Sequence, residues 1–132
     1  MQRRRPVCPE TTTAIGRRGE DAAAAHLESM GLRLLERNYR CRGGEIDLVM
    51  LEGATLVLVE VRLRTSAEFG GAAASVARSK QRRFILAAKH LLLTRPGYRR
   101  MGVRFDVVAI DAGSTADKPC VSWIRDAFRI AG

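Results

Sequence analysis

Apolar and polar residues recur along this chain with two different periods, and the changes of period divide it into elements. Over Thr55–Arg64 the period is two. Leu56, Leu58, Glu60, Arg62 and Arg64 share one face, while Val57, Val59, Val61 and Leu63 make the other wholly apolar. This predicts a strand covered on both sides early and open to charge late. Glu45–Leu51 alternates too, with Glu45, Asp47 and Val49 on one face and Ile46, Leu48 and Met50 on the other. Leu32–Arg40 mixes leucines and Tyr39 with charges and reads as an edge strand. Cys41–Gly44 and Gly53 supply the turns between the three strands.

Helical spacing appears twice. From Thr13 to Met30, closed by Gly31, the residues Glu20, Ala23, Ala24, Leu27 and Met30 form one stripe. From Ser75, a candidate N-cap, to Thr94, the stripe is Val76, Phe84, Ala87 and Leu91, with Lys80 in its middle. Arg95-Pro96-Gly97 ends this helix. Gly102–Asp111 is a further strand, Val121–Ile124 a short last one, and Arg125–Ile130 a short terminal helix. Thr65–Ala74 and Asp111–Pro119 are loops. Trp123, the single tryptophan, reads as a packing residue. The order α-β-β-β-α-β, with hairpins early and a helical crossover later, predicts an α/β fold with a mixed sheet of four to five strands flanked by helices.

Length and charge sharpen this picture. With 132 residues the chain fits one domain, expected over residues 14–132 after a basic arm over 1–13. A net charge of +9 directs attention to nucleic acid, DNA or RNA, as partner. An arginine-rich genome is the bland account of the same charge. No apolar run is long enough to span a bilayer, so no membrane partner is expected. The basic start Met1–Pro6 is not followed by an apolar stretch of signal-peptide type. Cys8, Cys41 and Cys120 are scattered, which excludes a zinc knuckle or disulfide framework and points to the reducing cytoplasm.

The acids in the apolar strands are the candidate chemistry, because buried carboxylates require a partner or a metal. Asp47 and Glu60 on neighbouring strands suit a hard cation, Mg2+ or Mn2+, which takes one or two carboxylates plus waters and substrate phosphate. Such an ion would polarise a phosphoryl oxygen and generate hydroxide. Arg62 would donate to phosphate. It cannot serve as a base, so Glu60, a metal hydroxide or Lys80 must take the proton. Glu20 is either an acid favoured by the helix N-terminus or a third acid aimed at the same place. Two other readings stand beside a nuclease: a nucleic-acid-binding module without turnover, and a set of ion pairs among Glu45, Asp47, Glu60 and Arg62 that only supports the scaffold.

The runs G-R-R-G-E-D-A-A-A-A-H-L, R-N-Y-R-C-R-G-G-E-I-D-L-V and L-V-L-V-E-V-R-L-R resemble the YraN-like family of small bacterial proteins. So do S-V-A-R-S-K-Q-R-R, A-A-K-H-L-L and R-F-D-V-V, and the likeness spans about residues 13–130. The resemblance implies a restriction-endonuclease-like core of the PD-(D/E)xK superfamily, similar to archaeal Holliday-junction resolvases. It further implies Glu20 as the helix acid, Asp47 as the motif aspartate, Glu60 as the second acid, Arg62 at the motif-lysine position and Lys80 as the basic residue of the next helix. Asp47, Glu60 and Val61 would form the metal set. A homodimer would suit a junction substrate. The family usually has E-V-K where this chain has E-V-R.

Overall fold

The computed structural model describes residues 12–64, 71–111 and 120–128. Its elements are α1 (Thr12–Ser29), β1 (Arg33–Cys41), β2 (Gly44–Glu52), β3 (Thr55–Arg64), α2 (Gly71–Thr94), a 3-10 turn (Pro96–Arg100), β4 (Gly102–Asp111) and β5 (Cys120–Phe128). They build an α/β fold with one mixed sheet, in the order β1-β2-β3-β4-β5. Every neighbouring pair is antiparallel except β3 and β4, which are parallel and joined through α2. A parallel pair cannot be closed by a tight turn, so a helical crossover is what this position demands.

The central strand β3 is apolar on both faces, and each face takes one helix. Ala23, Ala24 and Leu27 of α1 pack on Leu48, Met50, Val57, Val59, Val61, Val108 and Ile110. Phe84, Ala87, Ala88 and Leu91 of α2 pack on Ile46, Val49, Leu56, Leu58 and Phe105. α1 ends as expected: Gly31 has φ 98°, and the Leu32 amide donates to the Leu27 carbonyl at 3.0 Å, closing a left-handed cap.

Five expectations are corrected. Met30 lies beyond the last helical turn and is exposed, so it leaves the α1 stripe. α2 begins at Gly71, four residues before Ser75, which therefore is not its N-cap. Of the segment expected as a short strand and a terminal helix, the part up to Phe128 is one strand, β5, and residues 129–130 lie outside those described. The strand continues past a left-handed Asp126 (φ 51°), whose amide donates to Asp106 Oδ1 on β4 at 2.9 Å. Finally, Ile46 packs on the α2 side with Val49 rather than on the α1 side with Leu48. Alternation slips at Asp47, opposite a distortion in β1, where Asn38 has φ 53°. α1 also begins at Thr12, so two residues of the expected arm are helical; residues 1–11 lie outside those described.

One contact locks α2 onto the sheet. Gly44 opens β2 directly beneath α2, and a side-chain carbon at that position would lie 2.0 Å from the Arg83 carbonyl oxygen. Neither backbone can give way cheaply. Gly44→Ala is expected to lower stability by roughly 2–3 kcal/mol in urea denaturation. Gly43→Ala, whose new carbon would meet only Leu86 at 3.4 Å, should change it little.

Candidate functional site

β2 and β3 are hydrogen-bonded from Glu52↔Thr55 to Leu48↔Val59. Beyond that pair the ladder opens, and the next residues are Asp47 and Glu60. The Val61 amide, left without a β2 carbonyl, donates instead to Asp47 Oδ2 at 2.7 Å. A side chain has thus taken over a backbone acceptor's task, which satisfies the amide and aims the carboxylate across the gap.

Asp47 is only 8% exposed. Burial lifts its pKa to about 6 from 3.8, and the nearby charges of Glu20 and Glu45 push the same way. The Val61 hydrogen bond and the positive charge of Lys80 oppose them. Glu20 comes from α1 and Lys80 from α2, so both helices deliver charge to the opening. This is why the position between the two strands senses residues from both faces.

Glu60 is 1% exposed. Arg62, two residues along the same face, donates to Glu60 Oε2 from Nε at 3.1 Å and from Nη2 at 2.9 Å. The other oxygen, Oε1, is buried and has no hydrogen-bond partner. An unsatisfied buried acceptor of this kind costs about 1–3 kcal/mol or more. The scaffold alone gives no return for it.

The other expected residues fall at the margin. Glu20 is partly buried and lies 3.8 Å from Arg37, which bonds more closely to Asp21 at 2.6 Å. Glu45 pairs with Arg40 at 3.3 Å and does not join the Glu60–Arg62 pair. Lys80 is exposed, so its stem leaves the α2 stripe while its charge still reaches Asp47. Among the described residues no group of three or more His, Cys, Asp or Glu side chains is arranged around a metal position. The structure ties Asp47 to the Val61 amide, and Val61 follows the buried Glu60 in β3.

Sequence reasoning missed a third buried acid. Asp106 on β4 is fully buried and accepts from Arg104 at 2.8 and 2.9 Å, from Trp123 Nε1 at 2.8 Å and from the Asp126 amide. Arg104 and Arg125 both also reach Glu52, each at 2.7 Å. The signal was present: Asp106 interrupts Val103–Ile110 just as Asp47 interrupts β2. It differs in having every oxygen engaged, which marks it as structural.

The profile of the Uncharacterised protein family UPF0102 matches residues 19–110. The chain belongs to that family. It is 51% identical over 119 residues to a UPF0102 protein of Dechloromonas aromatica, covering 90% of this chain and 92% of the relative. A UPF0102 protein of Saccharophagus degradans is 50% identical over 115 residues, covering 87% and 92%. A third, from Alkalilimnicola ehrlichii, is 46% identical over the full length of both chains. The matched segment of this UPF0102 chain runs from Gly19 to Ile110 and so contains all five expected site residues. No helix among its described residues is long and apolar enough to cross a membrane.

Proposed function

We propose that this UPF0102 protein is a metal-dependent nuclease-like enzyme of restriction-endonuclease type that hydrolyses phosphodiester bonds in nucleic acid. The observation that carries the reading is the opened ladder, beyond which Asp47 and Glu60 are both buried, Asp47 accepts from the Val61 amide and Glu60 Oε1 has no partner. A hard divalent cation, Mg2+ or Mn2+, fits that donor set: Asp47, Glu60 and the backbone of Val61 would hold it. Such an ion supplies Lewis acidity toward a phosphoryl oxygen and a hydroxide at neutral pH.

The chain's own residues do the rest. Arg62 stays protonated and can transfer donors from Glu60 to a phosphoryl oxygen, stabilising charge that develops there. It does not take a proton, so removal of the water's proton falls to Glu60. Lys80 also favours the ionised Asp47 that metal binding requires. A cation at the Arg62 position that cannot become a base supports a second reading, a nucleic-acid-binding module of the same fold without turnover.

Manganese calorimetry and cleavage assays on branched, single-stranded and duplex substrates separate the two. Wild type is expected to bind one manganese ion and to cut at least one substrate, whereas Glu60→Gln does neither. If wild type cuts nothing beyond the level of Asp47→Asn, the hydrolytic reading fails. Steeply salt-dependent binding without cleavage would then favour the second.

A further inference from the structure

The net charge is concentrated in one segment. No Asp or Glu lies between Glu68 and Asp106, while Arg78, Lys80, Arg82, Arg83, Lys89, Arg95, Arg99, Arg100 and Arg104 all do. Those nine of the 23 basic residues account for the whole +9; elsewhere the 14 remaining cations and 14 acids cancel. A chain that was basic merely through its codon usage would spread the excess.

Within and beside this segment the cations divide by use. Arg95 is bound to Glu36 and Arg104 to Glu52 and Asp106, so both serve the fold. Among the described residues Arg82, Arg83, Lys89 and the hairpin-tip Arg42 are exposed and have no acidic partner. Gly44 seats the β1–β2 tip against the α2 backbone at Arg83, so Arg42 is held next to the α2 cations by a contact of backbone on backbone. Arg82 and Lys89 are seven residues apart, two helical turns on one face. Lys80 leads from this row to Asp47.

We propose that the β1–β2 tip and the exposed face of α2 form one phosphate-tracking surface for duplex DNA. The inference rests on the phosphodiester reading for its ligand class, but different residues carry it. Charge complementarity selects a polyanion. The aromatic residues select a duplex over a single strand, which is held by stacking bases on free rings. Among the described side chains no ring is available: Phe84 and Phe105 are buried, and Tyr39 bonds to His90 and lies under Arg95. Tyr98 bonds to Glu36, and Trp123 bonds to Asp106 under the Arg125 guanidinium. The tip is a two-stranded ribbon, which the major groove of B-form DNA admits and the narrow one of A-form RNA does not.

The test is fluorescence anisotropy of the full chain in EDTA, which prevents cleavage, over a series of sodium chloride concentrations. The probes are a labelled DNA duplex, its single strand and an RNA duplex of the same sequence. Wild type is expected to bind the DNA duplex tightest. Arg42→Ala/Arg83→Ala and Arg82→Ala/Lys89→Ala should each weaken it about tenfold and flatten the log–log salt slope by about 2, roughly 1 per lost phosphate contact. Arg33→Ala, an exposed cation where β1 begins, should change binding less than twofold, and all variants should melt like wild type. Unchanged slopes in both double variants, equal affinity for single strand or RNA duplex, or no DNA binding at low salt would overturn the proposal. Loss of cleavage in Asp47→Asn with duplex binding retained bears on the catalytic reading alone; flat slopes with cleavage intact bear on the surface alone.

Discussion

Replacing Asp47 by asparagine is expected to make the metal-free protein more stable at pH 8. Folding raises the Asp47 pKa from 3.8 to about 6, so the native state holds this proton more tightly than the unfolded chain does. The favourable contribution is complete below pH 4 and is lost as pH rises through 6, where burying the ionised form becomes a full penalty. A displacement of that size corresponds to about 3 kcal/mol. Asparagine carries no charge and its carbonyl can still accept from the Val61 amide. The part recovered should be about 2 kcal/mol, or roughly 8 °C in melting temperature at this chain length. At pH 4 the variant should gain nothing. Manganese should invert the order: at a hundredfold excess over its dissociation constant a ligand adds about 2.7 kcal/mol, and only to the protein that binds it. Thermal melts at pH 4 and pH 8, with EDTA and with manganese, decide the matter. If the variant melts lower by the same amount at both pH values, Asp47 is a structural acceptor and the strain assigned to it is absent.

Asp106→Ala should act in the opposite direction. Its carboxylate collects Arg104, the Trp123 indole and the Asp126 amide at once, and removing it leaves three kinds of donor without an acceptor in a buried place. Breaking a buried charged pair from one side costs about 3–5 kcal/mol. That is a large share of the stability of a domain this size. Glu52→Gln, at the exposed end of the same network, should cost about 1 kcal/mol or less. Hydrogen exchange should show the loss first in β5, because the Asp106–Asp126 bond carries that strand across the irregularity between Phe105 and Val107. A loss below about 1 kcal/mol in urea would show that β5 is held by its ladder alone.

Much of the fold was legible in the sequence. β3 and β4 are found where the alternation placed them, because a strand between two helices must be apolar on both sides. Asp47 and Glu60 were legible for the same reason, as ionisable groups in runs that can only be interior. The sequence could not show that the ladder parts at Leu48–Val59, since that depends on where strands twist away from each other. It follows that the Val61 amide bond to Asp47 was also hidden. The continuation of β5 through Phe128 was hidden because the Asp126 amide is held by a partner twenty residues away in the sequence, which no local pattern shows. Lys80 was placed on the inward stripe by period alone, but its long stem carries the charge outward.

The distortions at the two outer strands have a consequence for behaviour in crowded solution. β1 carries a register shift between Leu34 and Glu36, a left-handed residue at Asn38, and Arg33, Arg37 and Arg40 along its length. At the other border, β5 carries its own shift and a left-handed Asp126 beside Arg125. Neither border offers a long flat row of amide and carbonyl groups to a passing strand. A protein whose interior strands are as apolar as Leu56–Val59 would otherwise be prone to lateral stacking into fibres. The same irregularities that complicate the sheet keep its ends from serving as templates.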